Sequence, residues 1–144
     1  MSTFLLSWLS RQYGALDASV FLREQPGDWL VLESGSAAPA RAAEPVAMRL
    51  ALRRDRTRFT LGSDPASDFV VDDSGVAPAH AVLQPDGRGG WIIQRAAPGS
   101  PAQLDGLELG DYPVALGSGA RVDLGGARFT FYAGEDLLAR LRAT

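Results

Sequence analysis

Residues 60–83 read TLGSDPASDFVVDDSGVAPAHAVL. Short apolar runs alternate here with Ser, Asp, Pro and Gly, which favour turns and interrupt helices. The runs RFTLG (58–62), DFVVDD (68–73) and HAVLQ (80–84) are too short for helices and are bounded by turn residues. That pattern predicts strands. The last run opens with His80, the single histidine of this 144-residue chain. A lone histidine between hydrophobic runs has three chemistries open to it: a catalytic base, a metal ligand, or a packed group whose ring nitrogens satisfy buried backbone.

The same texture extends outward on both sides. VAMRLAL (46–52) precedes this stretch, and WIIQ (91–94), YPVAL (112–116), ARVDL (120–124) and ARFTFYA (127–133) follow it. PDGRGG (85–90) puts Asp-Gly between two runs, a strong hairpin signal. The glycine-bearing stretches 106–110, 117–119 and 125–126 separate the later runs. Short strands at intervals of about 8–12 residues predict an all-β sandwich or barrel. EDLLARLRA (135–143) closes the chain as a short amphipathic helix with Leu137, Leu138 and Leu141 inward.

Ahead of residue 46 the pattern differs. Residues 3–13 space Leu5, Trp8 and Leu9 along one helical face, with Leu6 and Tyr13 flanking it. A second helix is predicted over 17–24, capped by Asp17 and stopped by QPGD at 25–28. DWLVLE (28–33) reads as a short strand, and SGSAAPARAAEP (34–45) as a linker. The expected organisation is an extension with a linker over 1–45, a sandwich over 46–133 and a terminal helix over 134–144. There is no internal repeat.

Composition narrows the chemistry. One domain of this length buries roughly 68–70% of its unfolded surface, so a self-sufficient core is feasible. The net charge of −3 implies no basic face, which argues against nucleic acid and anionic membranes as partners. The absence of cysteine removes disulfides, zinc knuckles and thiol nucleophiles. With one histidine and no calcium-loop spacing, neither a metal nor a cofactor is expected. MSTFLLSWLSRQYG has no positive leader, and Ser7 and Ser10 break its apolar run, so it is not read as a signal peptide. No segment approaches the ~20 apolar residues of a membrane span. The expected location is cytoplasmic, with no membrane insertion.

With the blocks in order, the sequence resembles the forkhead-associated (FHA) family. That family carries a pattern like I-G-R, then D-[IF]-x-[LV]-x-D, then V-S-R-x-H-A. Leu61-Gly62-Ser63 stands at the first block, the run from Asp68 through Phe69, Val70 and Val71 to Asp72 or Asp73 at the second, and Val76-Ala77-Pro78-Ala79-His80-Ala81 at the third. GWIIQRAAPGSPAQLDGLEL (90–109) is similar to the family's Trp-strand and Asn-Gly segment, with Leu104-Asp105-Gly106 on its second V-N-G. Residues 114–132 resemble the closing strand pair. The resemblance covers roughly 46–133. It implies a two-sheet sandwich, usually of eleven strands, without catalysis, that binds phosphothreonine peptides through the loops at one end. It also implies that His80, with Gly62 and Gly106, supports those loops.

The ligand positions depart from the family. The arginine of the first block is Ser63, and the serine and arginine of the third are Ala77 and Pro78. Arg95 replaces the aspartate after the tryptophan strand, and Pro98, Ser100 and Pro101 replace the later Ser and Asn-Gly. A phosphate brings about −1.5 to −2 charges and needs charged donors. A hydrogen bond to a charged group contributes about 1.5–3 kcal/mol. Losing two or three removes roughly 3–8 kcal/mol from the ~8 kcal/mol of a micromolar complex. Phosphothreonine affinity is therefore expected to be weak or lost. Arg95 is the candidate replacement cation, with Ser63 and Ser100 as neutral donors; Asp105 completes the set of candidate peptide-binding positions.

Competing readings are weaker. Asp72, Asp73 and Ser74 allow a Ser-His-Asp hydrolase around His80, but no nucleophile elbow is present. The Asp72-Asp73 pair fits a strand-ending turn better than a metal site. LGSGARVDLGG lacks the Gly-Lys-Ser/Thr of a phosphate loop and leads into a strand. Trp8, Trp29 and Trp91 fit core or edge packing better than a stacking platform. The first helix is apolar enough either to dock on its own sandwich or to bind a partner. The expected function is non-catalytic protein–protein recognition, as an adaptor or scaffold in bacterial signalling. The expected partner is a protein, with a phosphorylated Ser/Thr-kinase substrate as one candidate. A working phosphothreonine reader using Ser63, Ser100 and Arg95 is the alternative.

Overall fold

In the computed structural model, residues 3–34, 45–52, 54, 57–71, 75–96 and 101–143 are described. The chain opens with β1 (Thr3–Leu5), α1 (Leu6–Tyr13), α2 (Ala18–Glu24) and β2 (Asp28–Ser34). It continues with β3 (Val46–Leu50), β4 (Phe59–Gly62), β5 (Phe69–Val70), β6 (Ala81–Pro85) and β7 (Trp91–Arg95). Then come β8 (Ala102–Leu104), β9 (Leu107–Glu108), β10 (Val114–Leu116), β11 (Arg121–Leu124), β12 (Ala127–Tyr132) and α3 (Gly134–Ala143).

The strands form two sheets, ordered β1-β3-β2-β12-β11-β8-β9 and β10-β7-β6-β4-β5. Alternating apolar residues on β4, β6 and β7 face the seven-stranded sheet. Phe59, Leu61, Leu83, Trp91 and Ile93 meet Leu30, Leu50, Val122, Leu124 and Phe129 in one buried cluster. The two-layer sandwich follows from this pattern, since each sheet must bury one apolar face.

A second core lies on the outer face of the larger sheet. Trp29, Val31 and Ala47 point away from the first core and are covered by Leu6, Leu9 and Tyr13 of α1, Phe21 of α2, and Leu137, Leu138 and Leu141 of α3. The inward leucines of α3 are as expected from their spacing. Asp17 caps α2 by accepting from the Ser19 amide at 2.9 Å, also as expected. The first helix therefore docks on its own sandwich, with Trp8 at the rim, 37% exposed and stacked on Phe4.

Three expectations change. The first helix begins at Leu6, because Thr3–Leu5 pair with Val46–Met48 as an edge strand. Its buried stripe is accordingly Leu6, Leu9 and Tyr13 rather than Leu5, Trp8 and Leu9. The division at residue 46 does not follow the sheet: β2 lies between β3 and β12, pairing with both along most of its length. The strand read at 28–33 is thus central to the sandwich, not part of an extension. Finally, β8 and β9 form a hairpin across Asp105-Gly106, within and just before a stretch expected to separate strands. Their residues lie in and beside a glycine-bearing stretch and carry no apolar alternation that registers as a strand. The segment 35–44 of the expected linker lies outside the described residues.

Candidate functional site

The described residues of the loops β4–β5, β5–β6, β7–β8 and β9–β10 gather at one end of the sandwich, around His80. Gly62 closes β4 with no room for a side chain: a Cβ would sit 2.0 Å from the Pro78 carbonyl oxygen. That approach lets the β4–β5 and β5–β6 loops join. The Ser63 amide donates to Ala77 O at 3.0 Å, the Asp64 amide to Pro78 O at 3.2 Å, and Ser67 Oγ to Pro78 O at 3.1 Å. The Asp64 carboxylate folds back on the Ala66 amide at 2.8 Å, and Asp68 accepts the Thr60 amide at 2.9 Å. The β11–β12 turn closes against the same end, where a Cβ on Gly125 would lie 2.1 Å from Gly75 O.

His80 is fully buried. Its amide donates to Leu61 O and its carbonyl accepts from the Ala96 amide. Nδ1 accepts from the Ala77 amide at 3.0 Å, so the ring proton sits on Nε2, which donates to Pro101 O at 2.7 Å. The residue thereby ties the β5–β6 loop, two strands and the β7–β8 loop together. Burial holds its pKa below the ordinary 6.5; the Pro101 carbonyl opposes this and the Arg95 charge adds to it. A neutral, doubly engaged ring with no exposed surface has no lone pair to offer a substrate or metal. Among the described residues no group of three His, Asp or Glu side chains could hold a metal ion.

Arg95 reaches the same end from β7. Its Nη2 pairs with Asp111 Oδ1 at 2.8 Å; the Arg95 side chain is 15% exposed and that of Asp111 76%. The Gln94 amide nitrogen donates to Asp111 O at 3.0 Å and fixes the β9–β10 loop beside it. Asp105 is elsewhere. β8 leaves the His80 end at Pro101, and the Asp105–Gly106 turn lies at its other end. Asp105 (φ 51) and Gly106 (φ 85) take the left-handed conformations of a tight two-residue hairpin. The Asp105 carboxylate accepts the Arg121 amide at 2.9 Å.

Of the positions singled out from the sequence, the fold brings Gly62, Ser63, Ala77, Pro78, His80 and Arg95 together and leaves Asp105 and Gly106 apart. Ser100 lies outside the described residues, as do Pro98, Asp72, Asp73 and Ser74. Sequence reasoning missed Ser67, a buried serine holding Pro78, and Asp111, the partner of Arg95. Neither has a local signature, because each partner is more than ten residues away. Among the described residues the exposed surface of this end includes Asp64, Pro65, Ala66, Pro78, Ala79, Asp111 and Tyr112. Two carboxylates face solvent there, and the one arginine is already paired.

Comparison with known proteins agrees with this architecture. The chain is similar to a solved FHA domain from Arabidopsis thaliana, with 20% identity over 76% of this chain and 86% of that one and a TM-score of 0.59. It is likewise similar to the FHA domain of CT664 from Chlamydia trachomatis, with 19% identity, 74% and 97% coverage and a TM-score of 0.58. The cytoplasmic domain of the T3SS sorting platform protein PscD from P. aeruginosa shares 27% identity over 73% of this chain and 79% of its own, with a TM-score of 0.51. No curated protein matches the sequence. Among the described residues no helix is long and apolar enough to cross a membrane. Residues 47–135, more than half of the chain, match the family model Yop-YscD_cpl, described as the inner membrane component of T3SS, cytoplasmic domain. With its FHA-like sandwich, the chain belongs to this family of T3SS cytoplasmic domains.

Proposed function

We propose that this chain is a non-catalytic docking module of the T3SS inner-membrane component. In this reading it holds a protein partner on the cytoplasmic side and does not read phosphothreonine. The observation that carries the reading is the chemistry at the loop end. Ala77 and Pro78 stand where the FHA pattern has its serine and arginine, and the Arg95 guanidinium is engaged by Asp111 at 2.8 Å. A phosphate dianion would have to displace Asp111 and approach Asp64 as well; the other described cation near Arg95, Arg58, precedes β4 and lines a cavity with Val82 and Gln94 on the outer sheet face. The scaffold that positions the loops is nonetheless complete: Gly62 against Pro78, and His80 between Ala77 and Pro101. Keeping this framework suits a surface that must hold its shape for a protein partner. The name of PscD, a sorting platform protein, supports the assembly context.

Calorimetric titration with a phosphothreonine peptide library tests the reading. No saturable heat is expected, and a pull-down from native extract should recover the same partner with and without phosphatase treatment. Saturable binding that requires the phosphate and disappears in Arg95→Gln would overturn it, in favour of a reader built on Ser63, Ser100 and Arg95.

A further inference from the structure

Among the described residues the three helices cover the larger sheet, and the outer face of the five-stranded sheet carries Thr60, Val82, Gln84, Ile92 and Gln94 with no described helix over it. On this face lies a polar cavity of about 260 Å³ lined by Arg58, Val82, Gln94, Arg95 and Ala96. Its lining includes two arginines, Arg58 just before β4 and Arg95 at the end of β7. Arg58 is exposed and has no ion-pair partner among the described residues. Arg95 gives Nη2 to Asp111, while its Nε is buried without an acceptor. A buried guanidinium N–H lacking an acceptor is costly, and a ligand oxygen nearby removes that cost. The run leading into Arg58, RRDRTR (53–58), holds four of the chain's fourteen cationic residues against one aspartate. This local excess stands out in a chain whose net charge is −3.

We propose that this face binds a carboxylate-rich segment of the partner protein, anchored by Arg58 and Arg95. The inference rests on the docking-module reading and names the surface that does the docking. Charge complementarity selects the occupant. Guanidinium groups take carboxylates in a planar, two-point manner. The Arg95–Asp111 pair already shows that this guanidinium takes a carboxylate, through Nη2 at 2.8 Å. Val82 and Ile92 supply an apolar floor for the intervening residues.

Fluorescence titration of the whole chain with an oligoglutamate peptide, its oligoglutamine counterpart and a phosphothreonine peptide tests this. Oligoglutamate should bind saturably and more weakly as salt rises, and oligoglutamine should not bind. Arg58→Gln, at an exposed position that leaves folding intact, should weaken binding by about fivefold. Arg88→Gln, at the distant β6–β7 hairpin tip, should leave it unchanged. Asp111→Ala should strengthen binding by releasing Arg95. Absence of saturable oligoglutamate binding, or equal losses in Arg58→Gln and Arg88→Gln, would overturn the inference. If that happens while phosphatase-treated extract still yields the partner, the docking-module reading stands and only this surface is wrong. A phosphothreonine peptide that displaces oligoglutamate and depends on Arg95 would overturn both.

Discussion

On the outer face of the larger sheet, Trp29, Phe21, Leu9 and Leu137 are buried to completion in a helix-covered core. At the loop end, the closing contacts are hydrogen bonds and backbone approaches: Gly62 on Pro78, Gly125 on Gly75, and the His80 ring between Ala77 and Pro101. The first region is held by area removed from water and is indifferent to the identity of any one polar group. The second is held by a few directional contacts, each of which fails if one atom is added or removed. The difference explains how the loop end can carry Ser63, Ala77 and Pro78 at its rim and keep its shape, because backbone groups and the buried His80 ring shape it.

The sharpest way to break this comparison is Gly62→Ala. Its Cβ would meet a backbone oxygen that cannot swing away, so a loss above about 4 kcal/mol, or no folded protein, is expected in chemical denaturation. A milder effect would mean that the two loops can separate. Trp29→Ala should cost about 3–5 kcal/mol through the cavity left beneath the helices. It should leave the loop-end amide resonances of Ser63 and Ala77 unshifted, since that region has its own supports. His80→Ala should cost about 1–3 kcal/mol by orphaning the Ala77 amide and the Pro101 carbonyl. Equal stability of this variant and the native chain would remove His80 from the framework.

The pH profile sharpens the same point. His80 has a folded pKa below 6.5, so the folded state resists protonation more than the unfolded chain does. Its stabilising contribution is complete above pH 6.5 and declines as pH falls below that value toward the folded pKa. The unfolding midpoint should therefore drop across that window, and His80→Ala should flatten the drop. Glu33 behaves similarly at lower pH. Burial raises its pKa, but the Arg140 guanidinium and the Thr130 hydroxyl outweigh burial and hold it below 4.5. This adds stability that is lost only as pH falls below that value. The smallest effect belongs to Asp111→Ala, an exposed partner whose removal should cost less than about 1 kcal/mol. Phosphothreonine titration of this variant should still show no binding; a gain would mean that Asp111 alone blocks the site.

Much of the sandwich is legible in the residues. β2 to β7 and β10 to β12 carry the apolar runs and turn residues of their class, and the three leucines of α3 share one face. β1 and the β8–β9 hairpin are not legible: β1 lies in a run whose spacing reads as helix, and the hairpin lies in and beside a glycine-bearing stretch that reads as a separator. For the same reason α1 reads one residue out of phase: the pairing of Leu5 with Val46 takes it out of the helix. The loop end is half legible. Gly62, His80 and the missing cations stand in the sequence, whereas Ser67 and Asp111 become visible only when their distant partners arrive.

By itself, then, the sequence determined the strand content, the FHA-like order of blocks, and the absence of arginine and serine from the third block. These are properties of local residue type and spacing along one chain. Only the tertiary structure decided that the N-terminal strand at 28–34 lies at the centre of the larger sheet, that the first helix covers the protein's own surface, and that Arg95 faces Asp111. Each of those depends on strand order and on pairings between residues far apart, and a chain read in one dimension does not contain them.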